Sequence, residues 1–351
     1  MSRGLAPSPT TGEAPRIQAK PRSLPRRIVS RPELSSLLGA IGVFVLFFAV
    51  APPFREPASL STVLYSSSTI GIVAVPVALL MIGGEFDLSA GVAVTASSLT
   101  ASITAYQLSA NVWVGVLAAL VLSLAIGFLN GYLVMRTKLP SFLITLATFL
   151  MLQGLNLAIT KLITGSVATD SISDMDGFDS AKAVFASDLP IGGITVKVTV
   201  FWWILFVAIA TWILLRTKAG NWIYAVGGQA GSARAVGVPV TWTKIALFMG
   251  VGFGAWFVGM HQVFAFDSVQ SGIGVGNELL FIAAAVIGGC LLTGGYGSAV
   301  GAAIGALIYG MTTQGIVYAG WNPDWLKFFV GATLLLATLL NMWVRLRTSR
   351  R

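Results

Sequence analysis

Ten stretches of this chain read as candidate membrane-spanning helices, at roughly 34–53, 60–82, 87–106, 111–135, 140–162, 196–216, 244–266, 278–294, 297–319 and 324–344. A helix needs about 20 apolar residues to cross the ~30 Å hydrocarbon core of a bilayer at 1.5 Å per residue. The third and eighth stretches are interrupted by glycines and polar residues. Only 10% of the 351 residues are charged, against about 25% in an average soluble domain. A water-soluble fold of this length has too little charge here to cover its surface. The expected fold is therefore an all-α integral membrane protein of about ten transmembrane helices.

The basic residues test that count. Seven of the 22 Lys/Arg lie within residues 1–33, and Arg345, Arg347, Arg350 and Arg351 close the chain. With the N-terminus in the cytoplasm and ten crossings, seventeen basic residues fall inside and five outside. Lys/Arg bias of this kind sets orientation, and it favours an even number of spans with both termini cytoplasmic. The domain boundaries follow. Residues 1–33, with six prolines, read as a disordered basic cytoplasmic tail, because such a composition buries little apolar surface. Residues 34–344 form the membrane domain, and 345–351 a second basic tail. The first tail either touches anionic headgroups or simply fixes orientation. It makes a poor signal peptide, lacking a small-residue cleavage site after the apolar run. The net charge of +9, gathered at the two ends, points to membrane retention and to no nucleic-acid partner. Two polar segments exceed ordinary loops. One, at 163–195, lies outside, carries five aspartates against Lys182, and either covers a pathway or is a plain loop. The other, at 217–243, lies inside.

The chain lacks the groups that enzymes need. It has no G-x-x-x-x-G-K-[ST] phosphate loop. Its one histidine, His261, and one cysteine, Cys290, form no His/Cys metal cluster. No nucleophile–base pair is evident, so no catalytic residue, metal or cofactor is expected. Any ATP hydrolysis must reside on another chain.

Three groups of polar residues stand out. The segment Met81–Gly91 places Glu85, Asp87 and Ser89 between two apolar runs. A charge at mid-helix costs about 2.5–3.5 kcal/mol on insertion scales, so a helix junction suits them better. Asp87 and Ser89 either cap the third helix or contact solute. In the fifth run Thr145, Thr148, Gln153, Asn156 and Thr160 share one helical face, which turns toward the bundle interior or a wet cavity. Amides and hydroxyls there match sugar hydroxyls as donors and acceptors, and they equally suit interhelical hydrogen bonds. In the seventh run His261 and Gln262 lie near the outer end, followed by Asp267, as packing residues or as a gate. Ser66–Thr69 and the helix-kinking Pro76 mark the second run. Gly127 with Gly131, and Gly297, Gly301 and Gly305, recur at the four-residue spacing that lets helices approach closely.

Four stretches in order then resemble one family. Gly84, Phe86, Asp87, Leu88, Ser89 and Gly91 are similar to its Gly-Gly-hydrophobic-Asp-Leu-Ser-x-Gly stretch, with Glu85 where glycine is frequent. Asn130–Val134 and Lys138–Leu146 follow, then Tyr224–Gly228 with Ala233-Arg234 and Gly237–Pro239, and finally Ala284–Gly289, Gly294-Gly295, Gly297-Ser298 and Gly301. From about residue 55 to 343 the chain resembles the permeases of the ribose-type and simple-sugar family of ABC importers. The resemblance implies a multi-pass protein of the bacterial inner membrane that dimerises, docks two ATP-binding cassette subunits inside, and receives sugar from a periplasmic binding protein outside. The segment 217–243 would hold a short coupling helix, with Ala230, Ala233 and Gly237 as a small-residue face, Arg234 beside it and Pro239 closing it. Acidic residues are frequent in the family where this chain has Ala230 and Gly231.

A rival of another class is an ion-coupled secondary transporter working alone. It needs ionisable groups at mid-membrane, whereas the acids here cluster at expected helix ends.

Overall fold

In the computed structural model, which describes residues 32–349, the apolar runs become helices. They are α1 (Pro32–Val50), α2 (Pro57–Ile82), α3 (Ala90–Gln107), α4 (Val112–Thr137), α5 (Ser141–Thr164), α6 (Phe178–Phe185), α7 (Val198–Arg216), α8 (Lys218–Ala235), α9 (Val240–Phe266), α10 (Asn277–Ile287), α11 (Ala299–Tyr318) and α12 (Leu326–Ser349). One antiparallel hairpin, β1 (Asp188–Ile191) with β2 (Ile194–Lys197), pairs Asp188 with Lys197. The chain is a helical, multi-pass integral membrane protein. Seven of its helices, α1, α2, α4, α5, α7, α9 and α11, are long and apolar enough to cross a membrane by length and composition among the described residues.

Two weak runs differ from that pattern for visible reasons. Ser and Thr fill α3, with Thr95, Ser97, Ser98, Thr100, Ser102 and Thr104 in 18 residues. The run expected at 278–294 is helical only from Asn277 to Ile287, because Gly288, Gly289, Gly294 and Gly295 break it into turns. Elsewhere the segment 217–243 is mostly the helix α8, and 163–195 holds α6 and most of the hairpin, whose second strand runs on to Lys197. The basic tail expected at 1–33 lies outside the described residues except for Pro32 and Glu33. In the segment 345–351, α12 continues to Ser349, and Arg350 and Arg351 lie outside.

The centre of the bundle is α2, whose most apolar stretch is 78% buried, against 11% for α5 and 17% for α1. Glycines let its neighbours close in. Gly310 of α11 lies against Val63 and Ser67 of α2, and Gly254 of α9 against Ile72 and Pro76. The expected glycine pair of α4 also works this way: Gly127 abuts Phe248 and Met249, and Gly131 abuts Ile245. The numbers ascend on one helix as they descend on the other, so α4 and α9 are antiparallel. By the same reasoning α2 runs antiparallel to α9 and α11, and parallel to α7, where Ser68 meets Thr199 and Gly71 meets Trp203. These directions gather the ends of the helices into two sets. One set carries α8, and the other carries α6 and the hairpin.

Candidate functional site

At the α8 end, α2 stops where Gly84 turns back at φ +84°, a left-handed conformation that favours glycine. The following loop re-enters the bundle. Phe86 N–H donates to Ser141 Oγ (3.0 Å) and Leu88 N–H to Thr145 Oγ1 (3.1 Å), both on α5. Asp87 is 3% exposed. Its Oδ1 accepts from the Ser89 backbone N–H (2.8 Å) and the Ser89 hydroxyl (2.6 Å). Ser89 is the residue before α3, yet its side chain makes no capping bond. It accepts instead from Asn130 Nδ2 (2.9 Å), and Asn130 Oδ1 accepts from Thr148 Oγ1 (2.7 Å). Asn156 Nδ2 donates to the Val92 carbonyl (3.1 Å). Thus Asp87, Ser89, Thr148 and Asn156, four residues singled out in the sequence, form one polar seam joining α3, α4 and α5. Their hydrogen bonds run within the protein. Gln153, on the same helix, is half-buried.

Two charges join this seam to α9. Glu85 and Lys244 form an ion pair with both side chains nearly buried. Nothing in the linear sequence pairs them, because they lie in different runs far apart.

Helix α8 then packs onto the loops. Gln229 leaves helical geometry (φ −157°, ψ 97°), which kinks α8 and sets off a short C-terminal piece ending at Ala235. Just before the kink, Gly227 lies directly against the Ile82 carbonyl and the Gly295 N–H, and Gly84 and Gly294 crowd the same spot. Gly295 N–H donates to that Ile82 carbonyl (2.8 Å). A side chain at 227 has no room, so three chain segments touch backbone to backbone. One turn earlier, Tyr224 donates its hydroxyl to the Gly297 carbonyl (2.9 Å). Burial pushes this phenol above its usual range, which keeps it a neutral donor.

The short piece beyond the kink splits the residues expected there into two groups. Ala233 is buried with Val226 and Val240, and Ala230 packs beside them with Met135 and Val238. Arg234 and Gly237 are exposed, and so is Val236, at 81%. Pro239, half-buried, precedes α9, and its carbonyl accepts from Thr243. The outward face is therefore Gly231, Ser232, Arg234, Ala235, Val236 and Gly237, while Ala230 and Ala233 anchor it.

At the opposite end, α6 packs over the C-terminal half of α9. Phe185 is 3% exposed and packs on Trp256, Phe257 and Phe264 at centroid distances of 5.7, 5.3 and 5.9 Å. His261 Nδ1–H donates to the Phe185 carbonyl (2.9 Å), and Nε2 shares a hydrogen bond with Tyr65 OH (2.9 Å). Both ring nitrogens are thus occupied in tying α2, α6 and α9 together. Gln262 beside it has no hydrogen-bond partner for its Oε1 among the described residues. No cluster of His, Cys, Asp and Glu suited to a metal occurs among the described residues.

In sequence the chain is similar to known proteins. A family profile described as the branched-chain amino acid transport system / permease component matches residues 59–338. The ribose import permease protein RbsC of Escherichia coli (strain K12) is 31% identical over 312 residues, 88% of this chain and 93% of its own length. The galactose/methyl galactoside import permease protein MglC of the same strain is 29% identical over 321 residues, 86% of this chain and 93% of its own. The fructose import permease protein FrcC of Rhizobium meliloti is 28% identical over 292 residues, 83% of this chain and 80% of its own. No solved structure matches the chain.

Proposed function

The chain belongs to this permease-component family, and on that premise we propose that it is the membrane-spanning subunit of an ATP-driven ABC importer for a simple sugar. One observation carries the reading: relatives named for the import of ribose, galactose and fructose align with it over most of their lengths. A pentose, a hexose or a sugar alcohol fits this chemistry. In this reading the helices make ten crossings with both termini in the cytoplasm, and α8 faces the cytoplasm. Two copies of the chain form the pathway, two ATPase subunits dock on them inside, and a periplasmic binding protein delivers sugar outside.

The coupling surface is the exposed face after the kink, with Arg234, Ala235 and Val236 meeting the ATPase and Ala230, Ala233 and Pro239 holding the piece in place. Closure of the ATPases on ATP tilts α8. Gly227 transfers that tilt to the loops at Gly84 and Gly295, and hence to the seam around Asp87. Alternating access follows when the two openings differ in affinity for sugar or nucleotide, since only a differential affinity shifts such an equilibrium. Gln153, His261 and Gln262 remain the candidates for pathway or gate residues in this scheme.

The test is reconstitution with an ATPase and binding protein in liposomes. Uptake of a labelled sugar that requires ATP and the binding protein is the expected result. Uptake by the chain alone under a proton or sodium gradient would establish the secondary-transporter reading instead. ATP-driven uptake of leucine, isoleucine or valine but no sugar would reassign the solute.

A further inference from the structure

The segment between α9 and α10 is non-helical at a depth where lipid does not tolerate open backbone. Helix α10 has 11 residues, which is about half of a crossing. It runs antiparallel to α11, with Gly288 against Gly301 and Ala284 against Gly305. Its first turn therefore begins beside the middle of α11 and not at the end of the bundle. The preceding residues descend to that point from the hairpin end, where Thr169 and Val269 are paired by backbone N–H···O (2.9 Å). Gly274 N–H donates to Thr95 Oγ1 (2.9 Å). Glu278, 5% exposed, accepts from Gly276 N–H (3.1 Å), and its carboxylate abuts Gly91. Gly91 and Thr95 adjoin Val92, which bonds Asn156 in the interior of α5. The buried acid at this depth is thus Glu278, and it holds the break before α10 in shape.

The other edge of this segment is open. Gly272, Ile273, Val275 and Leu279 are exposed, the last three at 43%, 40% and 61%. Each backbone group left unsatisfied in hydrocarbon costs several kcal/mol, so non-helical chain occurs at this depth only where it is buried in protein or lines water. The turns here, Gln270–Ile273 and Gly272–Val275, are closed by hydrogen bonds of 3.3 Å, and the N–H groups of Gly274, Gly276 and Asn277 are likewise satisfied within the protein, so the break keeps its shape without outside partners for these donors.

We propose that the edge Gly272–Leu279 is a wall of the solute pathway, past which a neutral polyhydroxylated solute moves with no charged side chain turned toward it. This rests on the importer reading and adds the element that contacts the sugar. Glu278 is a positioning residue in it, since its carboxylate is turned away toward Gly91.

The experiment is thiol accessibility in the assembled transporter. Cys290, buried, is replaced in Cys290→Ala. Ile273→Cys, Val275→Cys and Leu279→Cys are then made singly, with Val121→Cys and Ile204→Cys on exposed membrane-helix faces as controls. A charged, membrane-impermeant methanethiosulfonate should label the three test sites roughly tenfold or more faster than the controls, because the ionised thiol reacts in water. Sugar-loaded binding protein should slow that labelling. Rates no higher than the controls, in variants that retain uptake, overturn the proposal. So does protection from both soluble and lipid-permeable reagents, which means another protein surface covers the edge. Uptake by the unmodified chain is measured alongside: its absence strikes the importer reading, whereas intact uptake with unlabelled thiols strikes this inference alone.

Discussion

Lys244, in the first turns of α9, is ion-paired with Glu85 in the loop after α2, with side-chain exposures of only 13% and 12%. The pair fastens the loop that carries Asp87 to the helix that follows α8. Breaking a fully buried pair from one side costs about 3–5 kcal/mol; with some water access here, Glu85→Gln or Lys244→Met should cost about 1–3 kcal/mol. Thermal unfolding in detergent measures this. The double variant should lose less than the sum of the singles, and a purely additive result would show that the pair contributes nothing.

Gly227 and its neighbour Gly228 offer a matched contrast. A methyl group at 227 collides with the Ile82 carbonyl and the Gly295 N–H, whereas at 228 it meets nothing within 4 Å. Gly227→Ala should abolish or strongly reduce sugar uptake, with the ATPase still binding nucleotide. Gly228→Ala should retain uptake, and its better helix propensity, about 1 kcal/mol for glycine to alanine, works against any loss of stability.

The outward and inward faces of the short piece after Gln229 should separate function from folding. Val236→Glu places a charge on an 81% exposed position and should leave stability within about 0.5 kcal/mol of the parent. It should lower sugar-stimulated ATP hydrolysis severalfold. Ala233→Leu overfills a buried position and should cost about 1–3 kcal/mol in stability.

The polar seam predicts another such separation. Asn130 accepts from Thr148 and donates to Ser89, so Asn130→Leu removes both bonds across the seam, one to a buried and one to a half-buried side chain, and should cost about 1–3 kcal/mol. Gln153, half-buried on α5, should tolerate Gln153→Leu in an unfolding assay. If it contacts solute, the same change raises the sugar concentration needed for half-maximal uptake.

The helices were legible because their signal is length of apolar sequence, and that signal does not depend on neighbours. The same property hid the end of α10. Its apolar residues continue past Ile287 to Leu291 and Leu292, and only the turn geometry of the glycines between them ends the helix. The arc of polar residues on α5 was visible from its spacing, and its partners were not, since they come from α3 and α4. Of the small residues near Arg234, the family resemblance grouped Ala230, Ala233 and Gly237 on one face; beyond the kink at Gln229 the first two pack inward and Gly237 is exposed. Glu85 and Lys244 could be paired only once α2 and α9 lay antiparallel. The order of 163–195 comes from tertiary contacts, chiefly Phe185 on the aromatic residues of α9, which a Ser- and Asp-rich composition conceals.

The junction at Gly227 has a mechanical corollary. Where side chains meet, a push is partly lost as their torsions rotate and packing yields. Here backbone from three segments meets with no side-chain torsions between them, so the junction has little slack in which a displacement could be absorbed, like a linkage with no play.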